Sequence, residues 1–282
     1  MAKTLFDITY ELSNELKQTT RGTATGGSTT TILDSVERAV ATEVDDLWNG
    51  GTAWILYDAG GAGAAPQGEY GYISDFANTG GVITLRTALT TAVASGDEYA
   101  IANLRYPLQV LIQNINAALG IIDKVDKTTV VIAADQTEYS LPSDVLSLKE
   151  VWIQANDDAN DNDWQKLYDW DTEKSATGTA NKLIFSRQFS ADDAVKLVYL
   201  TYATKLRAAT DKLDDNINIE KVIANAAQGC ALWRVAKVGE SDTTAKDLMN
   251  YYQALANAKN QEFAMSLPKK SAKTIHPVFT RP

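Results

Sequence analysis

The chain has 282 residues, 45% of them hydrophobic, with 26 cations against 36 anions and a formal net charge of −10. That content suits one large core or two to three smaller ones and excludes a disordered chain, while the acidic balance disfavours a duplex-gripping role because most of the surface would repel phosphates. A single cysteine excludes an internal disulfide framework, no apolar run reaches the roughly 18 residues of a membrane span, and the acidic N-terminus MAKTLFDITYEL lacks a signal-peptide core, so the expected protein is soluble and unexported.

Residues 4 to 18 place Leu5, Ile8, Leu12 and Leu16 on one side, which predicts an amphipathic first helix. From Arg21 the composition turns to Gly, Thr and Ser, and short alternating runs predict strands near Thr29 to Leu33, Ala53 to Tyr57, Glu69 to Phe76, Val82 to Leu85 and Tyr99 to Ile101. Many short strands with Gly-rich turns in about 80 residues suggest a small antiparallel barrel. A second helix follows, with Pro107 in its first turn, a stripe of Leu108, Leu111, Ile112, Ile115 and Leu119, and Gly120 as its stop.

Residues 127 to 203 predict a second strand-rich block. Thr129 to Ala133 and Glu138 to Leu141 read as a hairpin about Asp135 and Gln136, followed by strands at Leu148 to Ile153, Lys182 to Ser186 and Val195 to Tyr202. Asp214 and Asp215 are expected to cap the next helix. That helix carries Ile219, Val222, Ile223, Ala226, Cys230 and Trp233 on one face, and a final helix from Ser241 to Ser266 carries Ala245, Leu248, Met249, Tyr252, Leu255 and Ala256. The expected fold class is α+β. A helical bundle of about four helices (1–19, 104–126 and 206–267) holds an inserted small antiparallel β-barrel (20–103) and a second antiparallel β block (127–205), and ends in an extended basic C-terminal arm (268–282).

Catalysis is hard to build from these residues. His276 is the one histidine and lies in the arm, and Cys230 sits on an apolar helical face as a small buried hydrophobe, so neither nucleophilic triad chemistry nor a four-ligand zinc site has its parts. No enzyme activity, cofactor or metal is expected. Gly60 to Pro66 superficially suits a dinucleotide loop. Pro66, however, stands where the third glycine belongs and a strand follows, so a hairpin turn is expected. The acidic run Asp157 to Asp163 offers a weak calcium candidate in Asp158, Asn160, Asn162 and Asp169, yet Asp163 stands where an EF-hand needs Gly, and a solvated loop is the simpler expectation. Trp48, Trp54, Tyr57, Tyr70 and Tyr72 would make a glycan-binding face if they lay outside the barrel, although small barrels fill their interiors with such residues.

The tail PKKSAKTIHPVFTRP has four cations, no carboxylate and three prolines, the composition of an arm that orders on a partner. Without it the rest of the chain is more acidic still.

Three features together resemble the head-to-tail connector, or adaptor, proteins of tailed bacteriophages. They are TEYSLPSDVLSLKEVWI (Thr137 to Ile153), the Gly/Thr-rich strand region with Asp45 to Thr52 around Trp48, and the closing helical pair with its basic arm. The resemblance implies a non-enzymatic virion protein of the neck, assembled in the host cytoplasm. It would be a homo-oligomeric ring, expected as a dodecamer, with no membrane contact. The arm would dock on the portal protein through Lys269, Lys270, Lys273, Ile275, His276, Pro277, Phe279 and Arg281, and a further neck or tail protein would meet the opposite face. DNA would be passing cargo in an acidic channel. Two alternatives remain open, a tail or baseplate structural protein and a receptor or glycan-binding module using the aromatics of the strand region.

Overall fold

A computed structural model describes residues 3–61, 63–120, 123–131, 137–154, 164–174, 180–188, 194–238 and 242–266. The chain forms two compact units. One combines residues 1–122 with 204–262, and the other is built on 123–203. The fold is α+β, with four helices and antiparallel sheets.

In the first unit, helix α1 (Leu5–Glu15) starts at a reciprocal cap: Thr4 Oγ1 accepts from the Asp7 amide at 3.3 Å, and Asp7 Oδ2 accepts from the Thr4 amide at 2.8 Å. The stripe expected for this helix is inside, with Leu5, Ile8, Leu12 and Leu16 all buried. The Leu5 amide donates to Asp211 O and the Leu213 amide to Lys3 O, tying the N-terminal residues to the segment before α3.

Helix α2 (Leu108–Gly120) follows Pro107, whose carbonyl accepts the amides of Val110 and Leu111. It packs on α3 (Ile219–Val238), where Ala224, Ala226, Ala227, Cys230 and Ala231 keep the surface flat. The approach is close enough that a side chain on Gly229 would collide with Asn114. The cap of α3 corrects the expectation for Asp214 and Asp215. Asn218 Oδ1 accepts from the Glu220 amide at 2.8 Å and the Lys221 amide at 3.3 Å, whereas Asp214 Oδ2 accepts from the Thr204 amide at 3.0 Å. The aspartates lie too far upstream to reach the free amides of the first turn.

Helix α4 (Thr243–Ser266) is capped by Asp242, which accepts from the Ala245 amide at 3.0 Å. It buries Ala245, Tyr252 and Ala256, and Tyr252 donates to Glu15 O at 2.7 Å. Paired amides of Asn225 and Asn260, 3.1 Å apart, join it to α3.

The same unit holds a seven-stranded antiparallel sheet. Its order is β1 (Thr19–Thr23), β7 (Glu98–Ala102), β4 (Thr52–Tyr57), β5 (Tyr70–Ala77), β6 (Val82–Leu85), β3 (Thr31–Leu33) and β2 (Gly26–Gly27). It is not closed into a barrel, contrary to expectation. The ladder has two ends, β1 and β2, which are consecutive pieces of one stretch. At the step between them the Ala24 amide donates to Asp97 O and the Thr25 amide to Leu33 O, so the stretch changes partner instead of closing the ladder. Ile32, Ile55, Ile73, Phe76, Ile83, Tyr99 and Ile101 pack together in its core. Strand β4 is buried on both faces. Ala53 and Ile55 join that core, and Trp54 turns to α1, where its Nε1 donates to Thr9 Oγ1 at 3.2 Å. The Gly60 to Pro66 stretch connects the paired strands β4 and β5, as a hairpin loop should.

The second unit contains a four-stranded sheet ordered β11 (Gln165–Leu167), β10 (Ser147–Gln154), β14 (Ala194–Tyr202), β8 (Asp123–Val131), and a three-stranded sheet ordered β12 (Trp170–Lys174), β13 (Ala180–Phe185), β9 (Glu138–Ser140). Val145, Leu148, Val151, Trp170, Leu183, Phe185, Val195 and Leu197 share its core. The hairpin expected between Thr129 to Ala133 and Glu138 to Leu141 does not form. Strand β8 pairs along its whole length with β14, while β9 pairs with β13 in the other sheet. The nine-residue apolar strand β14 offers a longer partner than the three residues of β9 can.

Candidate interaction surfaces

The predicted arm residues Lys269, Lys270, Lys273, Ile275, His276, Pro277, Phe279 and Arg281 lie outside the described residues, as do Asp158, Asn160 and Asn162 of the calcium candidate. Asp169 is described, and it lies just before β12, where its Oδ2 accepts from Ser186 Oγ, just after β13, at 3.0 Å and lies 3.5 Å from Arg187 Nε. Among the described residues no three His, Cys, Asp or Glu side chains gather into a metal-binding group. Cys230 is buried, and burial pushes its thiol up to about 12 against a hydrogen bond with Asn114, far from a reactive thiolate.

The aromatic face is corrected. Trp54 is fully buried between β4 and α1, and Trp48 is buried with its Nε1 donating to Glu43 Oε2 at 3.0 Å. Tyr70 and Tyr72 are half-buried, and only Tyr57 is largely exposed. These rings are core and support, so no stacking platform for a sugar is formed by the two tryptophans.

What stands out instead is the segment 34–50, which crosses from β3 to β4 without a strand of its own. It is held by charged side chains inside the protein. Asp34, fully buried, accepts the amides of Val36 (3.2 Å) and Glu37 (2.8 Å) through Oδ1 and the Tyr99 hydroxyl through Oδ2 at 2.6 Å. Tyr99 Oη in turn accepts from Arg38 Nε at 3.1 Å. Arg38 also donates to Glu43 Oε1 at 2.6 Å and to Arg21 O at 2.7 Å. Burial, together with the bond to Asp34, pushes the Tyr99 pKa well above the usual phenol range. Burial works against the Arg38 charge, but its bonds to Tyr99 and Glu43 outweigh it and hold the guanidinium pKa above its ordinary value. Gly22 roofs the network, because any Cβ there would lie 2.6 Å from the Tyr99 ring end.

This buried latch fixes a segment that also carries several outward-facing side chains. Val36, Val44 and Leu47 are 71%, 62% and 43% exposed, and Glu37, Asp45 and Asp46 are exposed beside them. Asp46 adopts φ +67°, a left-handed turn that aspartate tolerates, within the exposed run Val44-Asp45-Asp46-Leu47. Exposed aliphatic side chains grouped on a loop held in one shape make this segment a candidate contact surface. Sequence reasoning missed this latch because Tyr99 lies 61 residues from Arg38 and 65 from Asp34. The available signal was a lone arginine within an acidic stretch.

A second surface lies in the same unit where α2 begins, α3 ends and α4 begins. An open cleft of about 170 Å³ is lined by Arg105, Tyr106, Arg234, Asp242 and Leu248 among others. Asp242 is engaged as the α4 cap, and among the described residues neither Arg105 nor Arg234 makes a salt bridge.

A family model described as SU10 adaptor protein matches residues 30–273. No curated protein gives a match to the chain.

Proposed function

The chain belongs to the SU10 adaptor protein family, a bacteriophage family, and on that premise we propose that it is a structural protein of the phage neck, joining the portal to the tail. The observation that carries the reading is the match across most of the chain, which spans both compact units. In this reading copies assemble into a ring, with twelve as the expected number, and DNA passes through the middle. A net charge of −10, with four cations concentrated after residue 268, supports a channel that does not hold DNA. Helix α4, about 36 Å long at 1.5 Å per residue, leads directly to the arm.

The arm binds the portal. Lys269, Lys270, Lys273 and Arg281 steer and pair with carboxylates, and Ile275, Pro277 and Phe279 fill apolar pockets on the partner, with His276 between them. A further neck or tail protein occupies the opposite face. Deleting residues 268–282 should leave a protein with unchanged circular dichroism that no longer co-sediments with portal. Binding equal to that of the full chain would refute the arm's role.

A further inference from the structure

The two surfaces of the first unit have opposite character. The segment 34–50 holds five carboxylates and one arginine, and that arginine is buried in the latch, so everything charged that it shows to solvent is negative. Its outward run Val44-Asp45-Asp46-Leu47 places two exposed acids between two exposed aliphatic side chains. The cleft shows the complement. Arg105 and Arg234 line it together with Ala245 and Leu248, and the one acid in the lining, Asp242, is engaged as the α4 cap. A chain with excess negative charge repels its own copies over most of its surface, so an acidic-aliphatic loop has few places to settle on a second copy. The cleft is one where both charge and apolar character fit.

We propose that copies of this chain join head to tail, the Val44 to Leu47 run of one copy seating in the Arg105/Arg234 cleft of the next. This rests on the ring reading and supplies its contact. Two different patches meeting form a heterologous interface, the kind that closes into a ring when the rotation between copies divides a full turn. Val44 and Leu47 give up exposed apolar area, and the arginines give each carboxylate a donor fork. The latch around Arg38 contributes by holding the run in its bound shape before it meets the next copy, which reduces the entropy that association must remove.

The test is a charge swap in the full-length chain. Asp45→Lys/Asp46→Lys and Arg105→Glu/Arg234→Glu are made separately, and particle mass is measured by mass photometry and negative-stain imaging at a concentration where the wild type forms rings. Each variant alone should fall to monomers. Mixed one to one, they should form rings again, because every contact in an alternating ring then pairs opposite charges. Val44→Ser/Leu47→Ser, which leaves the charge pattern unchanged, should lower assembly at least tenfold with an unaltered melting profile, guarding against variants that simply misfold. Rings that persist in both charge variants overturn the proposed contact and leave the ring reading standing. Recovery that stops at dimers overturns the head-to-tail geometry. A wild type that stays monomeric at every concentration, with and without portal, removes the ring reading itself and this contact with it.

Discussion

Two loops of the seven-stranded sheet are built on different principles. The 58–68 loop is held mostly by its neighbours in sequence. Gly60 N donates to Asp58 Oδ1 at 2.6 Å, Gly63 N to Gln67 Oε1 at 2.7 Å and Gln67 N to Ala64 O at 2.9 Å, with glycines at positive φ making the bends. The 34–50 loop is held by the Tyr99 hydroxyl, more than 60 residues away in the chain, bridging the buried Asp34 and Arg38, and by the Asn78 side chain on the carbonyls of Val40 and Glu43. Desolvated ions stabilise little by themselves, because their removal from water offsets most of their attraction. What they do supply is a single shape. The first loop is a connection between strands, and the second is a surface whose form is maintained at some energetic cost.

The largest effect is expected from Arg38→Met. It leaves Glu43 without its ion partner and removes a donor to Tyr99, and breaking a buried pair costs roughly 3–5 kcal/mol. Urea unfolding should show the loss, and amide exchange should accelerate across 34–50 but not across 58–68. A change below about 1 kcal/mol would remove the distinction between the loops.

Tyr99→Phe comes next, at about 1–3 kcal/mol for the stranded acceptor and donor. Its pH dependence sharpens the comparison. Because the folded pKa of Tyr99 is raised above 10.0, its contribution is fully present below pH 10 and is lost as the pH climbs beyond it. The stability gap between wild type and Tyr99→Phe should therefore narrow above pH 10, with no matching change when the 58–68 loop is altered.

Gly63→Ala should cost only about 1 kcal/mol, from the φ of +84° alone, since open space surrounds the position. Smallest of all, Val44→Ser/Leu47→Ser should shift monomer stability by less than about 0.5 kcal/mol, because those side chains already face water.

How far these features are legible in the sequence follows from how local their causes are. The stripe Leu5, Ile8, Leu12, Leu16 and the alternation of β6 are set within a few residues, and both are found where the pattern places them. Strands β1 and β2 escape a sequence reading because TTRGT and Gly26-Gly27 carry almost no apolar residues. They are strands only through their partners β7 and β3. The same dependence explains the open ladder, which short strands and turns alone do not distinguish from a barrel. The expected hairpin fails because adjacent strand signals say nothing about β14, more than 50 residues on, which takes β8 for itself. For the candidate surfaces, tryptophans in an 80-residue strand region look the same whether they face sugar or core, and the packing of α1 on β4 decides for the core.

We have proposed that copies of this SU10 adaptor family member form a ring that receives the portal. Negative-stain imaging of the purified full-length chain, alone and mixed with portal, tests it most directly. Rings that stack coaxially on portal are expected, with no stacking once residues 268–282 are removed. Particles that stay monomeric and leave portal bare would contradict it.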